Sequence, residues 1–158
     1  MEILVGCDPE YFVKKNGVFV SAHGLIKGDK KNPLKVDRGA VQVDGHALEF
    51  NIDPAKDEDE FFVNITTVMG ILRGMCPDYE QALVPVADFD AKYLASMPPE
   101  SNELGCTPDY DAYTGAPNIK PDNTRPMRTA SGHVHIGWTS DRIPEEVGHY
   151  NDCRLVTN

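Results

Sequence analysis

The sequence predicts an α+β domain, a mixed but mainly antiparallel sheet with one long helix on its apolar face. Three observations carry this. Asn16-Gly17 and Asp44-Gly45 are two-residue turn signals, each between short runs of alternating residues, which is the pattern of a hairpin. Asp57 to Met75 is the one long stretch with apolar residues at helical spacing. Pro, Gly and polar residues interrupt most of what remains.

The elements follow in order. Ile3, Val5 and Cys7 fall on one side of a first strand, with Leu4, Gly6, Asp8 and Glu10 on the other. Pro9 has no N–H to give a ladder, so that point is expected at a sheet edge or a bulge. Asn16-Gly17 returns the chain into Val18-Phe19-Val20, and the segment from Ser21 to Arg38 reads as a surface loop. With Asp44-Gly45 as a turn, Gln42 would pair with Ala47 and Ala40 with Glu49, leaving Gln42, Glu49 and Asn51 on the polar face. Asp57 and Glu60 form a capping box. Phe61, Ile65, Val68, Leu72 and Met75 then make one apolar stripe, stopped by Gly74 and Pro77. Ala82 to Val86 reads as a short strand and Ala91 to Met97 as one or two helical turns, before a long polar loop from Ser101 to Arg128. Ser131 to Trp138 alternates as a strand with His133 and His135 on one face. Pro144 opens a helix that carries His149, Cys153 and Leu155.

Composition bounds the function. At 158 residues with 41% hydrophobic, the chain supports one domain, residues 1–158, with a real core. A formal net charge of -10 argues against a nucleic-acid partner, because phosphate binding needs the opposite sign. No apolar run approaches the roughly 20 residues of a membrane helix, and MEILVGCDPE lacks the basic flank of a secretory signal. No membrane partner is expected, and a cytoplasmic location is. Cys7, Cys76, Cys106 and Cys153 form no CxxC pair, so they are expected as reduced thiols, mostly buried.

Chemistry concentrates in three pairs spaced by two residues: Asp8 with Glu10, Glu49 with Asn51, and His133 with His135. Alternate side chains of a strand point the same way, so each pair can address one point. Carboxylates gathered from separate strands repel unless a cation lies between them. Such an oxygen-rich set, with one imidazole, suits Mg2+ or Mn2+ better than zinc. Gln42 and Asn51 are candidates for orienting a cofactor or substrate. Arg128, just before the histidine strand, is a candidate for a bidentate phosphate or carboxylate contact. The HxH spacing alone also fits a metal-dependent hydrolase that uses His133 and His135 with Asp8 or Glu10.

GCDPEYF, GAVQVDGHALEFNIDP and SGHVHIGW, in that order and with ELGCTPDYDAY between the last two, resemble the phage-encoded type 2 carboxylate-amine ligases. Those belong to the superfamily of glutamate-cysteine ligase and glutamine synthetase. The resemblance implies a curved, funnel-like antiparallel sheet of the glutamine synthetase kind, with acidic side chains on its concave face holding Mg2+ around ATP. It implies that Asp8, Glu10 and Glu49 bind metal, with His133 or His135 as the metal-linked histidine. The implied reaction passes the γ-phosphate of ATP to a small-molecule carboxylate, after which a small-molecule amine attacks the acyl phosphate. If phage-encoded, the protein would act in the host cytoplasm. In complete members a second half supplies further acids and arginines. This chain is therefore expected to be the N-terminal part of that fold, incomplete at its C-terminus, with a second polypeptide or a homo-oligomer completing the site. A non-catalytic binding or assembly protein that keeps the half-fold is the alternative this expectation leaves open.

Overall fold

The structure is a computed structural model that describes residues 2–102, 110–111, 113–119, 125–138 and 146–157. It opens with β1 (Ile3–Cys7), β2 (Glu10–Lys15), β3 (Val18–Val20), β4 (Leu34–Val36), β5 (Gly39–Asp44) and β6 (Ala47–Ile52). Helix α1 (Glu58–Met75) follows, then β7 (Glu80–Ala82), β8 (Val86–Asp88), α2 (Ala91–Ser96) and a 3₁₀ turn at Pro99–Asn102. Strands β9 (Met127–Thr129) and β10 (Val134–Trp138) and helix α3 (Val147–Thr157) complete the described elements. The fold is α+β, and the strand pairs are antiparallel.

The main sheet runs β3-β2-β6-β5-β4, with β7 also on β2, while β1 pairs β10 and β8 pairs β9. Pro9 marks the change of sheet between β1 and β2. The residues on either side of it keep their ladder: Asp8 N–H donates to the His133 carbonyl at 3.2 Å and Glu10 N–H to the Ser131 carbonyl at 2.7 Å. Placing the residue without a donor between them leaves no amide unpaired there. The first hairpin forms as the sequence predicts, with Asn16 at φ 53° and Gly17 at φ 77°, the left-handed pair that a tight two-residue turn requires.

The second hairpin closes one residue later than predicted, at Gly45-His46, so that Gln42 pairs with Glu49 and Ala40 with Asn51. Gly45 takes φ 56° at the first central position, where glycine is unstrained. His46 is drawn into the interior, 3% exposed, and its ring is held by Ser21. The shift leaves Gln42, Glu49 and Asn51 on one face as predicted, because their parity along each strand is unchanged. It also adds Asp44 to that face.

Helix α1 begins where the cap predicts: the Asp57 side chain accepts from Glu60 N–H at 2.8 Å, and the Glu60 carboxylate accepts from Lys56 N–H at 2.9 Å. Val68 and Leu72 of its stripe join Tyr11, Val13, Val41, Leu48, Phe50 and Ile52 in the main core, with Phe61, Ile65 and Met75 partly buried against it. A second cluster gathers Phe12, Ala82, Ala87, Phe89, Leu94 and Ala130. Cys7 and Cys76 are buried free thiols, and Cys106 lies outside the described residues.

Three further expectations are corrected. The segment from Ser21 to Arg38 contains β4 and buries Ser21 and Ala22, because backbone pairing to β5 and the cores draws it inward. The strand expected at Ala82 to Val86 is two short strands, since Ala82 pairs with Phe12 and Val86 with Thr129 in another sheet. Regular strand in the histidine segment starts at Val134 rather than Ser131, where Gly132 comes close to Pro9. The last helix is described from Val147, with Leu155 exposed, and Pro144 and Glu145 lie outside the described residues. No helix among the described residues is long and apolar enough to cross a membrane.

Candidate functional site

The polar face of the β5–β6 hairpin meets the start of β2, where Glu10 and Glu49 are direct cross-strand partners. With Asp44 they form a group in which one ligand oxygen from each residue lies within 4.8 Å of the others. Among the described residues this is the group that brings three such atoms so close. Each member is half-buried. Burial pushes the Glu49 carboxyl above its ordinary 4.5, opposed by the hydrogen bond from Gln42 and reinforced by the charges of Asp44, Glu10 and Asp8. Burial likewise raises Glu10, against the hydrogen bond from the Ser131 amide.

Neighbouring groups fix these oxygens. Gln42 donates from Nε2 to Glu49 Oε2 at 2.6 Å, and Ser131 N–H donates to Glu10 Oε2 at 2.9 Å. Lys30 Nζ lies 3.1 Å from Asp44 Oδ2 and neutralises part of the negative charge. With all three acids ionised, the charge left over matches one divalent cation. The donors are hard carboxylate oxygens, which suit Mg2+ or Mn2+ in a site kept polar by its surroundings.

Asp8 stands next to this group and holds both histidines. His133 Nδ1 is 3.1 Å from Asp8 Oδ1, and His135 Nε2 is 3.1 Å from Asp8 Oδ2. The His133 backbone N–H also donates to Oδ1 at 2.8 Å. Burial acts to raise the Asp8 carboxyl, but the hydrogen bonds and charges of the two histidines outweigh it and hold it below 3.8. The histidine rings are 6.2 Å apart and well exposed.

Of the residues predicted from sequence, the structure thus brings Glu10, Glu49 and Gln42 into one contact group and Asp8, His133 and His135 into an adjoining one. Asn51 shares the face of Glu49 and lines a neighbouring cavity. Arg128 goes elsewhere: it is buried in β9, and its guanidinium donates to the carbonyls of Arg125 and Met127 and to Asn102 Oδ1. Asn102 in turn meets His46 Nε2 at 3.0 Å. Asp44 and Lys30 were missed. The signal for Asp44 was its parity with Gln42, masked by its reading as a turn residue. Lys30 had no local signal, because it reaches the site from the segment read as a loop.

Comparison with known proteins adds no relative: no family model, curated protein or solved structure matches the chain.

Proposed function

We propose that Glu10, Asp44 and Glu49 hold a divalent cation, Mg2+ or Mn2+, in an ATP-dependent ligase that joins a small-molecule carboxylate to a small-molecule amine. The observation that carries this is the meeting of three carboxylates at one point, two of them directly opposed and raised by burial. The motif resemblance supplies the reaction class. When bound, the cation supplies positive charge to a transfer in which two anions must approach.

The chain's own residues divide the remaining work. Glu10 and Glu49 are the ligands from facing strands, and Asp44 is the third. Gln42 and the Ser131 amide fix the direction of two of these carboxylates, so that their oxygens need little reorganisation. Asp8 binds the two histidines and holds them next to the acidic group, where they could donate to a bound anion. Arg128 has no catalytic part in this proposal, because its guanidinium is buried among backbone carbonyls and Asn102.

Calorimetric titration tests the reading. Mn2+ is expected to bind the wild-type chain and not Glu49→Ala, and ATP is expected to bind only with Mn2+ or Mg2+ present. Equal ATP affinity with and without the cation would remove the ligase reading.

One observation favours a second reading. Asp8 holds His133 and His135 together on a strand pair, the residue types a metal-dependent hydrolase would use. A metal there would need the two rings to move closer, since their ligand atoms do not converge as those of Glu10, Asp44 and Glu49 do. Tightly held zinc in the purified protein, lost in His135→Ala, would select it.

A further inference from the structure

A cavity of about 440 Å3 opens where β1, β10 and the end of β6 meet, within the size range of small-molecule sites. Two glycines make it. Leu4 pairs with Gly137 and Gly6 with His135 across the β1–β10 ladder. A Cβ at Gly137 would meet nothing within 4 Å, and one at Gly6 nothing nearer than 3.9 Å. Where strand residues would ordinarily project side chains, there is room. Leu4, Ile52 and Pro54 make the lining mostly apolar, so the occupant has an apolar body.

The polar groups are few and specific. Asn51, two residues from Glu49, and His135, bonded to Asp8, connect the cavity to the proposed cation site. Trp138 also lines the cavity, but its indole packs on His149 and its Nε1 is closed off, so it offers the cavity no donor. Asn51 carries a side-chain amide that can donate into the cavity, so the occupant is expected to bring an acceptor. An ammonium has no lone pair to offer, whereas a carboxylate accepts and is also drawn toward a bound cation.

We propose that this cavity is the binding pocket for the carboxylate substrate, and that the substrate is a small organic acid with an aromatic or branched aliphatic body. The apolar body fills the space above Gly6 and Gly137, and the acid group is held by donors and directed toward the carboxylate-bound cation. This rests on the proposed ligase reading for the role of the acid group. The pocket's preference for an apolar body does not.

The sequence contains one tryptophan, Trp138, so intrinsic fluorescence reports from the pocket without a label. The probes are phenylacetate, acetate and uncharged phenylacetamide, titrated with and without Mn2+. With Mn2+, phenylacetate is expected to bind at least about tenfold more tightly than acetate, the effect of burying two methylene equivalents. Gly137→Val, a substitution that suits a strand and projects into the cavity, is expected to abolish that preference while Mn2+ affinity stays the same. Asn51→Leu removes the amide donor from the lining, and by calorimetry it should weaken phenylacetate several-fold. Equal binding of acetate and phenylacetate, or a preference that survives Gly137→Val, would overturn the pocket. Should Mn2+ itself fail to bind, the cation reading fails alone. Phenylacetamide then decides the pocket: binding that Gly137→Val abolishes supports it, and no binding overturns it.

Discussion

Glu10 and Glu49 face each other across the β2–β6 ladder, two like charges where a sheet ordinarily places complementary side chains. Neither can leave, because Ser131 N–H holds one and Gln42 Nε2 holds the other. Their repulsion works against the fold, and on the proposed reading a bound cation would relieve it.

Glu49→Gln removes one of the opposed charges and keeps the side chain's shape. In the absence of metal it is expected to raise the melting temperature by a few degrees, the effect of about 1 kcal/mol in a domain of this size. Added Mn2+ should raise the wild-type melting temperature and leave the variant where it was. Thermal melts with and without Mn2+ check this, and a variant that melts lower than wild type without metal would contradict it.

The pH dependence has a definite sign. Burial places the folded-state values of Glu10 and Glu49 above 4.5, so the native chain holds those protons more tightly than the unfolded chain. Metal-free stability from these two groups is therefore highest below 4.5 and falls as pH rises through their raised folded values. Asp8 acts the opposite way, since its value is held below 3.8 and its contribution is lost only as pH falls through that lower value. The double variant Glu10→Gln, Glu49→Gln should match the wild type near pH 4.5 and exceed it by a growing margin toward pH 7. Metal-free denaturation across that range measures the margin, and a constant difference would exclude the coupling.

Much of this arrangement was legible in the sequence because strand parity is robust. A two-residue error in pairing left Gln42, Glu49 and Asn51 on one face, although Glu49 faces Gln42 and not Ala40. What parity cannot supply is tertiary choice. Asp44-Gly45 and Gly45-His46 are both acceptable two-residue turns, and burial of His46 against Ser21 and Asn102 decides between them. That choice moves Asp44 from a turn into the site. The place of Arg128 was hidden for a related reason, since a charged residue ahead of a histidine strand looks exposed until the partners that bury it are known. The Asn16-Gly17 hairpin and the start of α1 depend on local geometry alone, and both were found where predicted.

His135 separates the two metal readings. Its ring is exposed and bonded to Asp8, so His135→Ala removes one hydrogen bond and little packing. If the carboxylate group is the cation site, the variant should keep most of its Mn2+ affinity, while Glu49→Gln loses at least about tenfold, the effect of roughly 1.4 kcal/mol. Titration of Mn2+ and of Zn2+ into both variants checks the order. The reverse order, with zinc affinity collapsing in His135→Ala, would move the site to Asp8 and the histidines.

Arg128 tests whether burial or chemistry explains a charged residue near the site. Its guanidinium caps the carbonyls of Arg125 and Met127 and reaches Asn102 Oδ1 at 3.1 Å, the oxygen that also faces His46 Nε2. For the neutral ring, Asn102 Oδ1 can only accept, so Nε2 carries the proton and Nδ1 accepts from Ser21 Oγ. Burial holds His46 below its ordinary 6.5, the Asn102 hydrogen bond opposes that, and the charge of Arg128 adds to it. A histidine lowered in the folded state contributes stability above 6.5 that is lost as pH falls from 6.5 through its folded value. Arg128→Met leaves buried acceptors without a charged donor, and hydrogen bonds to charged groups are worth about 1.5–3 kcal/mol. The variant is therefore expected to melt several degrees lower at pH 7 and to lose less of its stability on acidification, because the neighbouring positive charge is gone. Mn2+ affinity should not change. A variant that melts like the wild type but no longer binds Mn2+ with ATP would show that Arg128 belongs to the site after all.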